Sequence, residues 1–203
     1  MTDAAVIASK DALRREALGR RGALGPQVRI EGSLALMDHL DSLDLPQGAI
    51  VSGFWPIFDE IDPRPLMHAI GQRGHRLCLP VVRQPHMIFR ELSPETELVP
   101  AGFGTSEPSE ASEELQPDVL LVPLAAFDRR GNRIGYGKGH YDKAIAKLEE
   151  AGPRVLIGIA FSVQEVQAVP DEPHDKPLGR VLTEAGLITC SGQKDLSAST
   201  DTN

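Results

Sequence analysis

Only two cysteines occur among the 203 residues, Cys78 and Cys190, each alone in an apolar segment. That spacing builds neither a disulfide framework nor a zinc site. It reads as two buried, reduced thiols of a cytosolic protein. No apolar run approaches the ~20 residues that a membrane-spanning helix needs. Residues 1–24 carry charges throughout and have no apolar core, so no signal peptide is expected there. Positive charge is in the minority, 21 Lys and Arg against 29 Asp and Glu, for a net charge of −8. That balance argues against non-specific nucleic-acid binding. Repeats and low-complexity blocks are missing as well. A chain of this length that is 41% hydrophobic is expected to be one globular domain with a sizeable core.

What is abundant is glycine at one place. The run GNRIGYGKGHYD, residues 131–142, has glycine at 131, 135, 137 and 139. Such spacing does not serve packing. It lets backbone approach a ligand, and successive amides followed by a helix N-terminus make a seat for anions. Arg133 and Lys138 add two cations, and Asp142 is placed to hold a metal ion. Together these suit a polyphosphate with Mg²⁺. The familiar phosphate motifs do not fit. A Walker A loop would need Gly where Asn132 stands and Ser or Thr where Gly139 stands. A dinucleotide fingerprint from Gly135 would need a small residue at His140. The alternative is a glycine-rich turn.

The rest of the chain supplies a frame for that loop. A helix is expected over 4–24, with Val6, Leu13, Ala17 and Leu24 on one stripe. Lys10 and Arg14 share a flank of it, and Lys10 has no acid at helical spacing. Either an anion relieves the pair or the two cations snorkel to water. A second helix is expected over 28–43, with Ile30, Leu34, Met37 and Leu40 in register. A buried strand follows over 49–55, and then Phe58-Asp59-Glu60-Ile61-Asp62-Pro63. Carboxylates at a strand end occupy the ligand-binding edge of an open α/β sheet. Asp62 is explained as a cap of the helix 63–73; Glu60 has no such role. Trp55, the only tryptophan, is either core or pocket wall. Strands are expected over 76–82 and 87–92, with a turn around Pro85. Residues 105–118, acidic and without a basic residue, read as a solvated loop. The continuous apolar run 118–124 reads as a parallel strand covered on both faces. It leads through the glycine loop into a helix over 141–151 and a strand over 154–161, a right-handed βαβ crossover. His174 reads as a loop histidine and Asp175 as a second carboxylate for Mg²⁺. Two short strands over 180–183 and 186–190 and a disordered polar tail over 191–203 complete the expectation.

These residues carry a resemblance. The segment Arg133–Asp142, after a strand ending Val-Pro-Leu-Ala-Ala-Phe-Asp128, is similar to the signature of the 5-formyltetrahydrofolate cyclo-ligase family. Lys10-x-x-Leu13-Arg14, Glu60-Ile-Asp62, Leu79-Pro80-Val81, Met87-x-Phe89-Arg90, Gly102-Phe103-Gly104-x-x-Glu107-Pro108 and Pro170…His174-Asp175 agree in order, over residues 6–184. Tyr136 and His140 depart from the usual pattern, which bears on nucleotide affinity. The resemblance implies a three-layer α/β fold with a mixed, mainly parallel sheet flanked by helices, one domain over residues 1–190. It implies ATP as co-substrate, Mg²⁺, and 5-formyltetrahydrofolate, with or without further glutamates, as substrate. Lys10, Arg14, Arg133 and Lys138 would neutralise phosphates. Ile134, Gly135, Tyr136, Gly137, Gly139, His140 and Tyr141 would complete the ATP site, and Asp142 and Asp175 would hold the metal. Glu60 would bind the pterin or N-formyl group, with Trp55, Met87, Phe89 and Tyr141 as walls. A cytoplasmic monomer or weak homodimer is expected, with neither nucleic acid nor membrane as partner. The rivals are the same ATP chemistry on another N-formyl or amide compound, an ATP-independent isomerase or acyl-CoA transferase on a similar sheet, and a non-catalytic folate binder.

Overall fold

The computed structural model describes residues 3–84, 86–172 and 175–191. In chain order the elements are α1 (Asp3–Gly22), α2 (Pro26–Ala35), a 3-10 stretch (Leu36–Leu43), β1 (Ile50–Ser52), α3 (Arg64–Gln72), β2 (Arg76–Arg83), β3 (His86–Leu92), β4 (Leu98–Pro100) and β5 (Ser106–Pro108). They continue with β6 (Glu114–Leu115), β7 (Val119–Pro123), β8 (Ala126–Phe127), β9 (Arg133–Ile134), α4 (His140–Glu149), β10 (Val155–Ile159), β11 (Arg180–Thr183) and β12 (Gly186–Thr189). The main sheet runs β12-β11-β10-β7-β1-β2-β3-β6. The strands from β11 to β2 are parallel, while β3, β6 and β12 pair antiparallel at the two edges.

The strand residues alternate between two cores, which is why β7 reads as an unbroken apolar run. Val51, Val119, Leu121, Ile157 and Leu182 face the 3-10 stretch and α3, meeting Leu36, Leu40, Leu66 and Ile70. Cys78, Leu120, Val122, Leu156 and Val181 face α4, meeting Ala144, Ile145 and Leu148. Helix, sheet and helix thus form three layers, and β7-α4-β10 is the expected crossover. α1 lies elsewhere: Leu13 and Ala17 pack on Ala126 and Ile134 of the β8–β9 hairpin and on Val166 and Val169. That places the N-terminal cations over the glycine loop.

Three expectations need correction. The second helix ends at Ala35, and its continuation winds as a 3-10 helix. At about three residues per turn the inward face rotates. Leu36, Leu40 and Leu43 are buried, while Ile30 and Leu34 stay 62% and 46% exposed. The acidic segment 105–118 is not a bare loop. It contributes β5 and β6, and distant cations neutralise it, Arg83 on Glu107 at 2.9 Å and Arg76 on Glu113 at 2.6 Å. Asp62 acts one residue away from the expected cap position, accepting the Arg64 N–H at 3.0 Å. The turn at Pro85, His174 and the tail beyond Ser191 lie outside the described residues.

Candidate active site

The loop geometry starts from Asp128, wholly buried just after β8. Its carboxylate accepts the N–H groups of Arg130 (2.9 Å), Asn132 (3.1 Å) and Val169 (2.9 Å), and the Arg130 guanidinium at 2.8 Å. Burial alone would raise its pKa; the hydrogen bond from Val169 N–H and those from Arg130 and Asn132 outweigh that and hold it below the usual carboxylate value. The turn it fixes launches β9, and the chain then crosses Gly137 (φ 85°) and Gly139 (φ 61°) before α4. Both angles lie in the left-handed region that glycine enters without cost. Gly139 caps α4 with no side-chain hydrogen bond. The first amides of α4 therefore stand at the end of the glycine loop, where an anion would be favoured.

The expected cations converge here. Arg14 Nε donates to the Gly135 carbonyl oxygen at 2.7 Å, and a second arm of its guanidinium meets Asp11. Arg133 donates to Asp142 Oδ1 at 2.6 Å and to the Lys176 carbonyl oxygen. Lys10 Nζ lies 2.8 Å from Glu172 and 2.6 Å from Asp175. Burial would lower the Lys10 pKa, but the Asp175 and Glu172 carboxylates raise it overall, so it stays a cation. Lys138 is exposed on the loop, and His140 opens α4. Ile134 is 2% exposed, so its side chain belongs to the core.

Asp142 lies beside the segment that carries Asp175: its Oδ1 is 3.5 Å from the N–H of Lys176, the next residue. Both are already paired with cations. Among the described residues no three His, Cys, Asp or Glu side chains are grouped to hold a metal. Two hard carboxylates suit Mg²⁺ only with phosphate and water oxygens filling the shell. The donor set fits an ion that arrives with a nucleotide.

The acceptor side is organised by an acid network that the sequence reading missed in part. Glu60 Oε2 accepts the Ile57 N–H at 2.8 Å, and Oε1 accepts the Tyr136 hydroxyl at 2.6 Å. Tyr136 in turn accepts from Arg21 Nη1 at 2.9 Å. Arg21 is 2% exposed and is anchored on Asp59 Oδ1 by Nε at 3.0 Å and Nη2 at 2.5 Å. Burial raises the Glu60 pKa above the ordinary carboxylate value, with Tyr136, Ile57 N–H and Arg21 opposing the rise. Tyr136, expected on the nucleotide, thus places its hydroxyl on Glu60. Arg21 lies two helical turns beyond Arg14, a spacing that would have put it on the same face. Nothing in the sequence signals its burial.

The expected walls divide. Trp55 packs at the edge of the first core under Arg64, whose guanidinium carbon sits 4.8 Å from the ring centroid. Tyr141 packs against the second core, and burial raises its phenol pKa. Met87 and Phe89 are 9% and 2% exposed within that core, facing α4 from β3, and offer a ligand almost no surface. Phe58 was not expected. It is 79% exposed beside Glu60 and holds a left-handed backbone, φ 54°.

Residues 6–184 match the 5-formyltetrahydrofolate cyclo-ligase family. The chain belongs to that family. It is 31% identical over 172 residues to the 5-formyltetrahydrofolate cyclo-ligase of Escherichia coli, covering 81% of this chain and 94% of that protein. It is 31% identical over 191 residues to that of Mycolicibacterium smegmatis, covering 89% and 96%. The solution structure of the Aquifex aeolicus 5,10-methenyltetrahydrofolate synthetase superposes with a TM-score of 0.74 at 27% identity, over 96% of this chain and 99% of that one. The protein is thus an enzyme, a ligase of folate one-carbon metabolism, on the α/β fold of its relatives. No described helix is long and apolar enough to cross a membrane.

Proposed function

We propose that the enzyme converts 5-formyltetrahydrofolate and ATP to 5,10-methenyltetrahydrofolate, ADP and phosphate, with Mg²⁺ accompanying the nucleotide. The observation that carries this is the hydrogen bond from Tyr136 to Glu60, 2.6 Å long. It brings the glycine loop within one hydrogen bond of the half-buried Glu60 carboxyl, so a phosphate held on the loop and a formyl group held at Glu60 would lie side by side.

A formyl oxygen on nitrogen is a poor leaving group. Attack of that oxygen on the γ-phosphorus releases ADP and leaves an iminium phosphate. N10 of the same substrate then adds to the activated carbon, and phosphate departs. Such transfer asks a protein chiefly for position and neutralised charge. Arg14 is held on the loop backbone, and Arg133 and Lys10 are oriented by carboxylates, so their charges are in place before the nucleotide arrives. Lys138 and the amides at Gly135, Gly137 and Gly139 would line the phosphates. Asp142, with Asp175 nearby, would hold Mg²⁺, whose charge offsets that developing on the phosphoryl oxygens. Glu60 would bind the pterin or N-formyl region. The proposal places the enzyme in the cytoplasm, as a monomer or weak homodimer, working on mono- or polyglutamylated substrate.

The test is to mix the protein with 5-formyltetrahydrofolate and Mg-ATP and follow the near-ultraviolet absorbance of the methenyl product, omitting ATP as control. An ATP-dependent rise is expected. Mg-ATP binding without a rise would move the acceptor to another N-formyl compound. Neither binding nor a rise would make the glycine stretch a turn.

A further inference from the structure

One phenol hydroxyl of the glycine loop has a proton whose direction the fold dictates. Arg21 Nη1 donates to the Tyr136 hydroxyl at 2.9 Å, and that hydroxyl lies 2.6 Å from Glu60 Oε1. A guanidinium only donates, and a phenol has a single proton to give. With Arg21 on its lone-pair side, the Tyr136 proton points at Glu60. Burial, and then the charge on Glu60, raise the Tyr136 pKa, so the proton stays on the phenol. Arg21 is fixed in turn: it is 2% exposed, and Asp59 holds its Nε and Nη2.

Glu60 receives a donor on each oxygen, since Ile57 N–H meets Oε2 at 2.8 Å. Both bonds favour the carboxylate over the acid. The surroundings otherwise oppose the charge. Burial raises the Glu60 pKa, and the Tyr136 hydrogen bond is the strongest influence against that rise, ahead of Ile57 N–H and Arg21. Of the other ionisable groups around it, Asp59 adds to the rise and is itself paired with Arg21. Asp62 is paired with Arg64, Arg29 of α2 shares a groove with Glu60, and Tyr141 of α4 feels its charge. Ile57 and Asp59 belong to the same loop as Glu60. Tyr136 reaches the carboxylate from a different part of the chain, and so ties its position to the glycine loop.

We propose that Tyr136 is a positioning residue of the acceptor site and not a nucleotide ligand: with Arg21 behind it, it holds Glu60 as a fixed hydrogen-bond acceptor for the folate. This rests on the proposed seating of the folate at Glu60, and adds the residues that prepare Glu60 for it. A carboxylate already charged and oriented takes none of the ligand's binding energy for ionisation or for choosing a rotamer.

The experiment is equilibrium binding to Tyr136→Phe, which deletes one oxygen from a side chain that is 37% exposed and should leave the fold intact, as a thermal melt would verify. 5-Formyltetrahydrofolate without nucleotide, and Mg-ATP without folate, are titrated separately at several pH values. The Glu60 carboxyl is followed by NMR in the ligand-free protein. The folate Kd should rise about tenfold at about pH 6 and about twofold or less at about pH 9, because Glu60 loses a donor that favours its ionised form and regains the full charge only at higher pH. The Glu60 titration should move to higher pH, and the Mg-ATP Kd should stay within about twofold. A merely structural tyrosine would weaken folate binding by the same factor at every pH. That result, an unmoved Glu60 titration, or a loss confined to Mg-ATP would overturn the proposal. Failure of the proposed function shows already in the wild type, as Mg-ATP binding without 5-formyltetrahydrofolate binding, and removes this inference with it; failure of this inference alone shows only when the variant is compared with the wild type.

Discussion

Replacing Arg21 by Leu probes how the two halves of the site are joined. The guanidinium is 2% exposed and spends its donors on Asp59 and on Tyr136. Leucine keeps most of the buried volume but leaves Asp59 without its cation and Tyr136 without its donor. Breaking a fully buried pair by removing one partner costs about 3–5 kcal/mol. Asp59 is 22% exposed, so water recovers part of that, and about 2–3 kcal/mol remains. For a chain of this size that corresponds to a fall in Tm of roughly 5–10 °C. Arg21→Lys keeps the charge without the planar fork and should lose about half as much. Urea unfolding at neutral pH, followed by the fluorescence of Trp55, measures both variants. The Glu60 carboxylate, whose pKa Arg21 now helps to hold down, should titrate at higher pH in Arg21→Leu, as read by carboxyl NMR. A loss below about 1 kcal/mol, with the Glu60 titration unmoved, would refute the idea that Arg21 anchors this network.

Asp128→Asn should cost about 3 kcal/mol near neutral pH, because three backbone N–H groups and Arg130 lose a buried carboxylate. The native pKa is depressed, so the stabilisation is complete above the unfolded value of about 4 and disappears as pH falls through the folded value. The gap between wild type and variant should therefore close in acid, as chemical denaturation at several pH values would record. Gly131→Ala should lower Tm by several degrees. Its φ is 92° and a Cβ would collide with the Leu178 carbonyl oxygen, backbone that cannot step aside. Lys138→Ala should weaken ATP binding by about tenfold with folate affinity spared, by calorimetry. Glu60→Gln should do the reverse, and normal folate affinity in that variant would remove Glu60 from the acceptor site.

Local pattern made much of this molecule legible. The apolar run of β7, the glycines after it and the amphipathic α4 follow from backbone sterics and periodicity, which act over a few residues. Lys10 could be marked as a cation in need of an anion, because helical spacing excluded a local acid for it, whereas Arg14 has Asp11 one turn away. The partners themselves, Glu172 and Asp175, lie 162 and 165 residues away and meet Lys10 only when α1 crosses the end of the sheet. The same distance hid Arg21. A charged residue in an amphipathic helix reads as solvated, and only packing against Asp59 and Tyr136 makes its burial tolerable. Met87 and Phe89 carried an apolar signal that suits a pocket wall and a core equally, and the side of the sheet decided between them. Phe58 gave no signal, since backbone strain is imposed by the fold and not by residue type. Short-range rules thus determined the elements and the loop chemistry from the sequence alone. Which charges meet, and which apolar side chains are left facing a ligand, was decided by the tertiary structure, because both depend on contacts between residues that no local window contains.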